Sequence, residues 1–181
     1  GGLGNIAIGY QAMCANVSGC YNTAVGHQAL VANVSDAGSY NTAHVYQALY
    51  SNTTGEKNTA IGYQSMYSNT TGEYNAAIGT DSLRSNTIGQ QNVALGHNSL
   101  YNNTEGFGQV ADGYKSLFNV TTGCYNVGLG AYVLECLTTG CYNVGIGYEA
   151  NQTGLGNCNV SIGYRAAKNT GNGVDNVVLG S

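Results

Sequence analysis

Apolar positions return along this chain at one long, nearly constant interval, as from Ile61 to Ile78, which is neither the helical period nor that of a simple strand alternation. The best-formed unit runs from Asn58 to Tyr74 and reads Asn-Thr-Ala-Ile-Gly-Tyr-Gln-Ser-Met-Tyr-Ser-Asn-Thr-Thr-Gly-Glu-Tyr. Its first residue recurs as Asn5, Asn22, Asn41, Asn58, Asn75, Asn92, Gln109, Asn126, Asn143, Asn159 and Asn176, in steps of 17, 19, 17, 17, 17, 17, 17, 17, 16 and 17. Each unit holds an Asn-(Thr/Val)-Ala-Ile-Gly tract and an (Ala/Ser)-Leu pair such as Ala29-Leu30, Ala48-Leu49 or Ser99-Leu100. A Ser-Asn-Thr-Thr-Gly turn then leads to the next unit. A unit this short has no room for two helices, and β-branched residues punctuated by Gly predict a strand. The expected fold is all-β: a parallel β-solenoid of eleven coils, forming a single repeat domain over residues 1–181.

Stacked coils would bring equivalent residues within ~4.8 Å of each other, giving a rod roughly 50 Å long. Two columns are expected to form the core. One follows the Ala: Ile8, Val25, His44, Ile61, Ile78, Leu95, Asp112, Leu129, Ile146, Ile162 and Leu179. The other is Met13, Leu30, Leu49, Met66, Leu83, Leu100, Leu117 and Leu134. The Ala column thins to Gly128 and Gly145, which implies close packing. The turn glycines (Gly19, Gly55, Gly72, Gly89, Gly106, Gly123 and Gly140) suit a backbone position with φ > 0. About two large apolar residues per coil make a thin core against the ordering entropy of the unit. Side-by-side association of chains over the Ala/Gly face is therefore expected. With no capping element at either end, the native rod is expected to continue beyond both ends.

The motifs Asn58-Thr59-Ala60-Ile61-Gly62-Tyr63-Gln64 and Asn22-Thr23-Ala24-Val25-Gly26-His27-Gln28-Ala29-Leu30 resemble the head repeats of trimeric autotransporter adhesins. More closely, they resemble the shaft repeats of phage and giant-virus tail fibres that end in a self-cleaving chaperone domain. The likeness covers all eleven units, and the turn is longer than in the adhesin heads. The resemblance implies a left-handed β-roll, three chains side by side, and a role in attachment at a cell or virion surface.

Composition narrows the function classes. Charged residues are 8% of the chain, and polarity rests on Asn, Thr, Ser and Gln. The 5 Lys and Arg are scattered singly, which argues against nucleic-acid binding. No apolar run is long enough for a membrane span.

Candidate chemistry is sparse, and no catalytic or cofactor-binding residue is expected. Glycan cleavage would need two carboxylates facing each other across a cleft. Glu56 and Glu73 stack in neighbouring coils, but their column also holds Cys20, Gln90 and Cys124 and reads as a solvated turn. Among the other acidic residues is Asp36. His27 and His97 share a column with Tyr10, Tyr46, Tyr63, Tyr114, Tyr148 and Tyr164 and read as members of an aromatic ladder. His44 and Asp112 stand where the column calls for Ile. In a trimer each could form a polar ring able to hold a metal or ion; the alternative is a locally frayed or water-filled coil.

Six cysteines, Cys14, Cys20, Cys124, Cys136, Cys141 and Cys158, allow fifteen pairings. Cys14 and Cys20 flank one turn, and Cys136 and Cys141 flank another. Cys124 and Cys141 lie one coil apart, and Cys141 and Cys158 are separated by the same sequence interval. Disulfides would indicate an extracellular setting. Sequons at Asn16, Asn33, Asn52, Asn69, Asn102, Asn119 and Asn151 are candidates for N-glycosylation, six of them in the same turn of successive coils; Asn159 also qualifies but sits at the strand anchor. Asn-Thr-Thr-Gly is equally good turn chemistry without sugar.

The expected function is a non-catalytic structural or adhesive fibre component. It would self-associate as a homotrimer or an end-to-end polymer, with a glycan or cell-surface receptor as a candidate partner. The alternatives are a tail-spike-like glycan hydrolase and an ice-binding solenoid. The hydrolase lacks a carboxylate pair. For ice binding, the column Thr23, Thr42, Thr59 turns to Ala76, Val93, Val110, Val127 and Val144.

Overall fold

The computed structural model describes residues 2–34, 38–169 and 171–180; Asp36 lies outside them. Eleven three-residue strands follow one another in chain order: β1 (Ile6–Ile8), β2 (Thr23–Val25), β3 (Thr42–His44), β4 (Thr59–Ile61), β5 (Ala76–Ile78), β6 (Val93–Leu95), β7 (Val110–Asp112), β8 (Val127–Leu129), β9 (Val144–Ile146), β10 (Val160–Ile162) and β11 (Val177–Leu179). They form one parallel sheet in which each strand pairs with its sequence neighbours. The register follows the repeat, as in Thr59↔Ala76, Ala60↔Ala77 and Ile61↔Ile78. No helix occurs among the described residues. The chain is a parallel β-solenoid, and each coil is numbered from its anchor residue, coil 1 at Asn5 to coil 11 at Asn176.

The longer step after Asn22 and the shorter one after Asn143 leave the strand register intact: Thr23 pairs with Thr42, and Val144 with Val160. Extra or missing residues are absorbed in the turns, where no side-chain alternation constrains them.

The inside of the coil differs from the expectation. The Ala column is fully buried from Ala24 through Ala111, as are Leu30, Leu49, Met66, Leu83, Leu100, Leu117 and Leu134. The Ile column faces outward, with Ile61, Ile78, Leu129 and Ile162 all exposed. Successive side chains of a strand point to opposite faces, so a strand with Ala inside must turn both its neighbours outside. The Ala/Gly face is therefore already covered within each chain and is not an association surface.

Amides complete the interior. The anchor Asn58 donates from Nδ2 to the Gly72 carbonyl at 2.8 Å, and its Oδ1 accepts from the Asn75 backbone N–H at 3.0 Å. The same pair of bonds recurs up the stack, for example at Asn41, Asn75 and Asn126. A second amide column, Asn33, Asn52, Asn69, Asn86 and Asn103, is also buried. Asn69 donates to Asn52 Oδ1 at 2.8 Å and to the Gly72 carbonyl at 3.1 Å. Buried polar groups are stable here because they meet partners in adjacent coils, with Asn103 Oδ1 the exception among the described side chains.

The glycines follow the same logic. The turn Gly column does not take up positive φ. At Gly72 a Cβ would collide with Asn69 Oδ1 and the Gly89 carbonyl, so close approach excludes a side chain. Positive φ falls instead at the residue closing each strand, a glycine such as Gly62 at 139° except after β3, where Val45 takes 88°.

Candidate functional site

The outward side of the sheet carries two parallel columns. One runs Thr23, Thr42, Thr59, Ala76, Val93, Val110, Val127 and Val144, the other Val25 through Ile162. Together they make an apolar strip along the rod, with Ile78 44% exposed at its middle. Contiguous apolar surface of this length is unusual on an isolated soluble chain. His44 and Asp112 lie on this strip, half-buried and exposed respectively, and so belong to the outer face rather than to the core. They are four coils apart. No group of three or more His, Cys, Asp or Glu side chains able to hold a metal occurs among the described residues.

Rings stack along the flanks of the strip. His27 sits between Tyr10 and Tyr46, with ring centroids 5.1 Å away on each side, and Tyr46 continues to Tyr63 at 5.2 Å. His97 contacts Tyr114 at 5.5 Å. Both histidines are rungs of aromatic ladders, each ring covering part of its neighbour. A second ladder runs Tyr50, Tyr67, Arg84, Tyr101 and Phe118; the Arg84 guanidinium lies over the rings of Tyr67 and Tyr101 and is held by Asp81 at 3.0 Å.

One disulfide joins Cys124 to Cys141 across adjacent coils, with Cα atoms 4.6 Å apart. Cys14, Cys20, Cys136 and Cys158 are free. The shortened step after Asn143 explains why Cys158 is out of reach. It places Asn157 beside Cys141, whose backbone N–H donates to Asn157 Oδ1 at 2.8 Å, and moves Cys158 into the column of Tyr125 and Tyr142. Cys136 belongs to an outward column with Asn102 and Asn119, away from Cys141. Burial raises the Cys136 thiol above its ordinary pKa, with Glu135 adding to the shift.

The six sequons expected in one turn divide into two columns, and Asn151 falls in the Leu column. Asn33, Asn52 and Asn69 are buried, and Asn16 is half-buried. Asn16 donates to the Gly19 carbonyl and accepts from Asn33. A sugar on Nδ2 of Asn52 or Asn69 would replace a hydrogen engaged inside the coil. Asn151 is buried as well. Asn102 and Asn119 stand one position earlier in their units, half-buried beside a shallow hydroxyl-lined groove with Ser85, Thr104, Thr121 and Thr138.

Among the described residues, ion pairs engage Glu56, Asp81 and Glu149. Glu56 lies 3.6 Å from Lys57. Glu149 is held below the usual carboxylate range by a hydrogen bond from Lys168, with Arg165 adding to it, and closes a surface ion cluster in coils 9 and 10.

A feature absent from the sequence reading is a cleft of about 420 Å³ lined by Ile88, Gln90, Gln91, Glu105, Phe107 and Tyr125. The only signal for it in the sequence is a gap in the column Tyr21, Tyr40, Lys57, Tyr74, where Gln91 and Gly108 precede Tyr125 and Tyr142.

The fold defines a β-solenoid repeat protein. Comparison with known proteins adds no relative: no family model matches the chain, nor does any curated protein or solved structure. No helix of the described residues is long and apolar enough to cross a membrane.

Proposed function

We propose that this chain is a non-catalytic structural and adhesive segment of an extracellular or virion-surface fibre, assembled by lateral association of its outer strip. The observation that carries this reading is the placement of Ile61, Ile78, Leu129 and Ile162 outside an interior that is already full. Such a strip gains stability, at roughly 25 cal/mol per Å² of apolar surface removed from water, by being covered along the rod. Several chains in register would cover it with like coils against like coils, a homotrimer being the form the motif resemblance implies. Length and stiffness then come from the repeat. The disulfide supports an oxidising environment. Of the sequons, Asn102 and Asn119 are the ones a sugar-bearing form of the fibre would use.

The test is assembly. Ile78→Asp, with Ile61→Asp as a second variant, places a charge on the strip while leaving the buried Ala and Leu columns untouched. Sedimentation is expected to shift each variant from a multi-chain species to the single chain, with its β circular dichroism retained. An unchanged oligomer, or a wild-type chain that stays single at high concentration, would overturn lateral assembly. An end-to-end polymer would leave this face open and be indifferent to both substitutions.

A further inference from the structure

We propose that the cleft spanning coils 5 to 7 is a binding site for a neutral saccharide. It rests on the attachment role above and names the partner's chemistry. Three irregularities of the repeat build it. In the column before the anchor, Tyr74 is followed by Gln91 and Gly108 before the rings resume at Tyr125. Gly108 leaves space that the Tyr125 ring leans into: a Cβ on Gly108 would lie 2.6 Å from Tyr125 Cδ1. Phe107 occupies the next column, where other coils carry Glu73, Gln90 or Cys124, and meets Tyr125 edge-on with centroids 5.0 Å apart. Phe107 is 42% exposed and Tyr125 46%, and Ile88 adds a third apolar wall. Three departures from the repeat converge on this one opening and mark a place where the rod is shaped for something besides length.

The polar lining completes the match. In another column, half-buried and exposed glutamines are tied together, as Gln28 to Gln11 and Gln64 to Gln47, each at 2.8 Å. Gln90, Gln91 and Glu105 make no side-chain hydrogen bond or ion pair among the described residues. Two amides offering donors and acceptors, and a carboxylate able to accept from two vicinal hydroxyls, suit the rim of a pyranose. The ring faces of Phe107 and Tyr125 suit its C–H face. The opening is large enough for a hexose and part of a second one, within the lower range of small-ligand sites. No Lys or Arg lines it, and Glu105 is its only charge. Anionic sugars are therefore disfavoured. Repetition of the site in each chain of a fibre would raise a weak single-site affinity through multivalency.

Saturation-transfer NMR on the assembled protein tests this, using trisaccharides of glucose, mannose, galactose and N-acetylglucosamine, with sialyllactose as the anionic comparison. At least one neutral trisaccharide is expected to bind, with sialyllactose weaker. Phe107→Ala is expected to weaken binding about tenfold, the loss of one aromatic face. Gly108→Tyr restores the residue that other coils carry at the same left-handed backbone, as Tyr74 does at φ 58°. The backbone demand is thus a familiar one, while the new Cβ displaces the Tyr125 ring from the space it leans into; the substitution fills the cleft and is expected to abolish binding. No saccharide bound, stronger binding of sialyllactose, or unchanged binding in both variants would overturn the site. Sedimentation of the same samples reports assembly separately, so failure of the cleft and failure of the fibre reading are distinguishable.

Discussion

Coils 2 to 6 and coils 7 to 9 follow one backbone path and fill it with different chemistry. In the first group the inner corner of each turn is an amide, from Asn33 to Asn103, and the two small columns are Ala against Ala or Ser. In the second, Val120 and Leu137 take the corner, Gly128 and Gly145 replace the strand Ala, and Val133 replaces the Ser. A disulfide from Cys124 to Cys141 is added on the outside. Coil 8 changes all three columns at once, and its Val133 takes up volume left at both Gly128 and Gly145. Coil 7 keeps Ala111 and Ser116 beside its Val120, and coil 9 keeps Ala150. Hydrogen bonds lost at the corner are exchanged for apolar burial at Val120 and Leu137. A solenoid coil is a closed packing problem in which one substitution is answered by another in the same cross-section.

The largest expected effect concerns the covalent staple. Breaking it with Cys141→Ser releases a loop of roughly 17 residues, which on the chain-entropy account costs about 3 kcal/mol. The loss should be confined to the neighbourhood of coils 7 to 9, since each coil stabilises only its neighbours. Hydrogen exchange is expected to rise at Val127–Leu129 while Thr59–Ile61 keeps its protection. A uniform rise along the rod would show that the two groups of coils unfold as one unit and are not separable.

Next in size is the exchange of volume. At Gly145 an added Cβ would lie 2.5 Å from Val133 Cγ1 and 3.2 Å from Leu134 Cγ. Gly145→Ala alone is therefore expected to destabilise by about 1–3 kcal/mol through overpacking. Val133→Ala alone leaves space over Gly128 and Gly145 and is also destabilising. The double variant puts Ala at the two positions that Ala43 and Ala29 hold in coils 3 and 2, while Gly128 stays uncovered, and should recover part of both losses. Denaturant titration of the four proteins measures the coupling, expected at about 1–3 kcal/mol. Additive losses would mean that the two groups of coils differ in more than how they share one volume.

The period, the strands and their register were legible in the sequence, because the coils carry variants of Asn-(Thr/Val)-Ala-Ile-Gly at nearly constant spacing. Which side of the strand lies inside was not. Hydrophobicity ranks Ile78 above Ala77, yet the narrow interior admits Ala77 and sends Ile78 out. The buried amides were hidden for a related reason: Asn52 and Asn69 lie in strong turn sequences, and only the stack shows that each answers the one before. The sequon at Asn102 falls just short of two full repeats beyond Asn69, and that shift is the trace of two columns. Cys158 illustrates the opposite trap, since one full repeat beyond Cys141 is the wrong distance where the step between anchors is shortened. The cleft needed a reading of the Tyr column, where Gly108 is the informative absence.

The finest contrast lies where the amide corner meets the apolar one. Each amide in the column donates back to the one before, as Asn103 does to Asn86 Oδ1 at 2.8 Å. Coil 7 offers Val120 in place of the next amide, and Asn103 Oδ1 is a buried atom without a hydrogen-bond partner. That unmet acceptor belongs to the end of the ladder rather than to Asn103 itself. Asn103→Val would pass it back to Asn86 Oδ1 and leave the number of unmet acceptors unchanged. Asn69→Val instead cuts the ladder in its middle. It strands Asn52 Oδ1 and also removes the acceptor for Asn86 Nδ2, which now donates to Asn69 Oδ1 at 2.7 Å. The Gly72 carbonyl keeps its bond from Asn58 in that variant. Val120, fully buried at the equivalent position, shows that the backbone accommodates Val. One additional unmet acceptor and one unmet N–H separate the two substitutions, so Asn69→Val is expected to cost about 1–3 kcal/mol more than Asn103→Val in denaturant midpoints converted at constant m-value. Equal losses would show that the amides act as independent turn formers. A greater loss at Asn103 would mean that the junction between the two groups of coils, not the continuity of the ladder, sets the stability of this part of the rod.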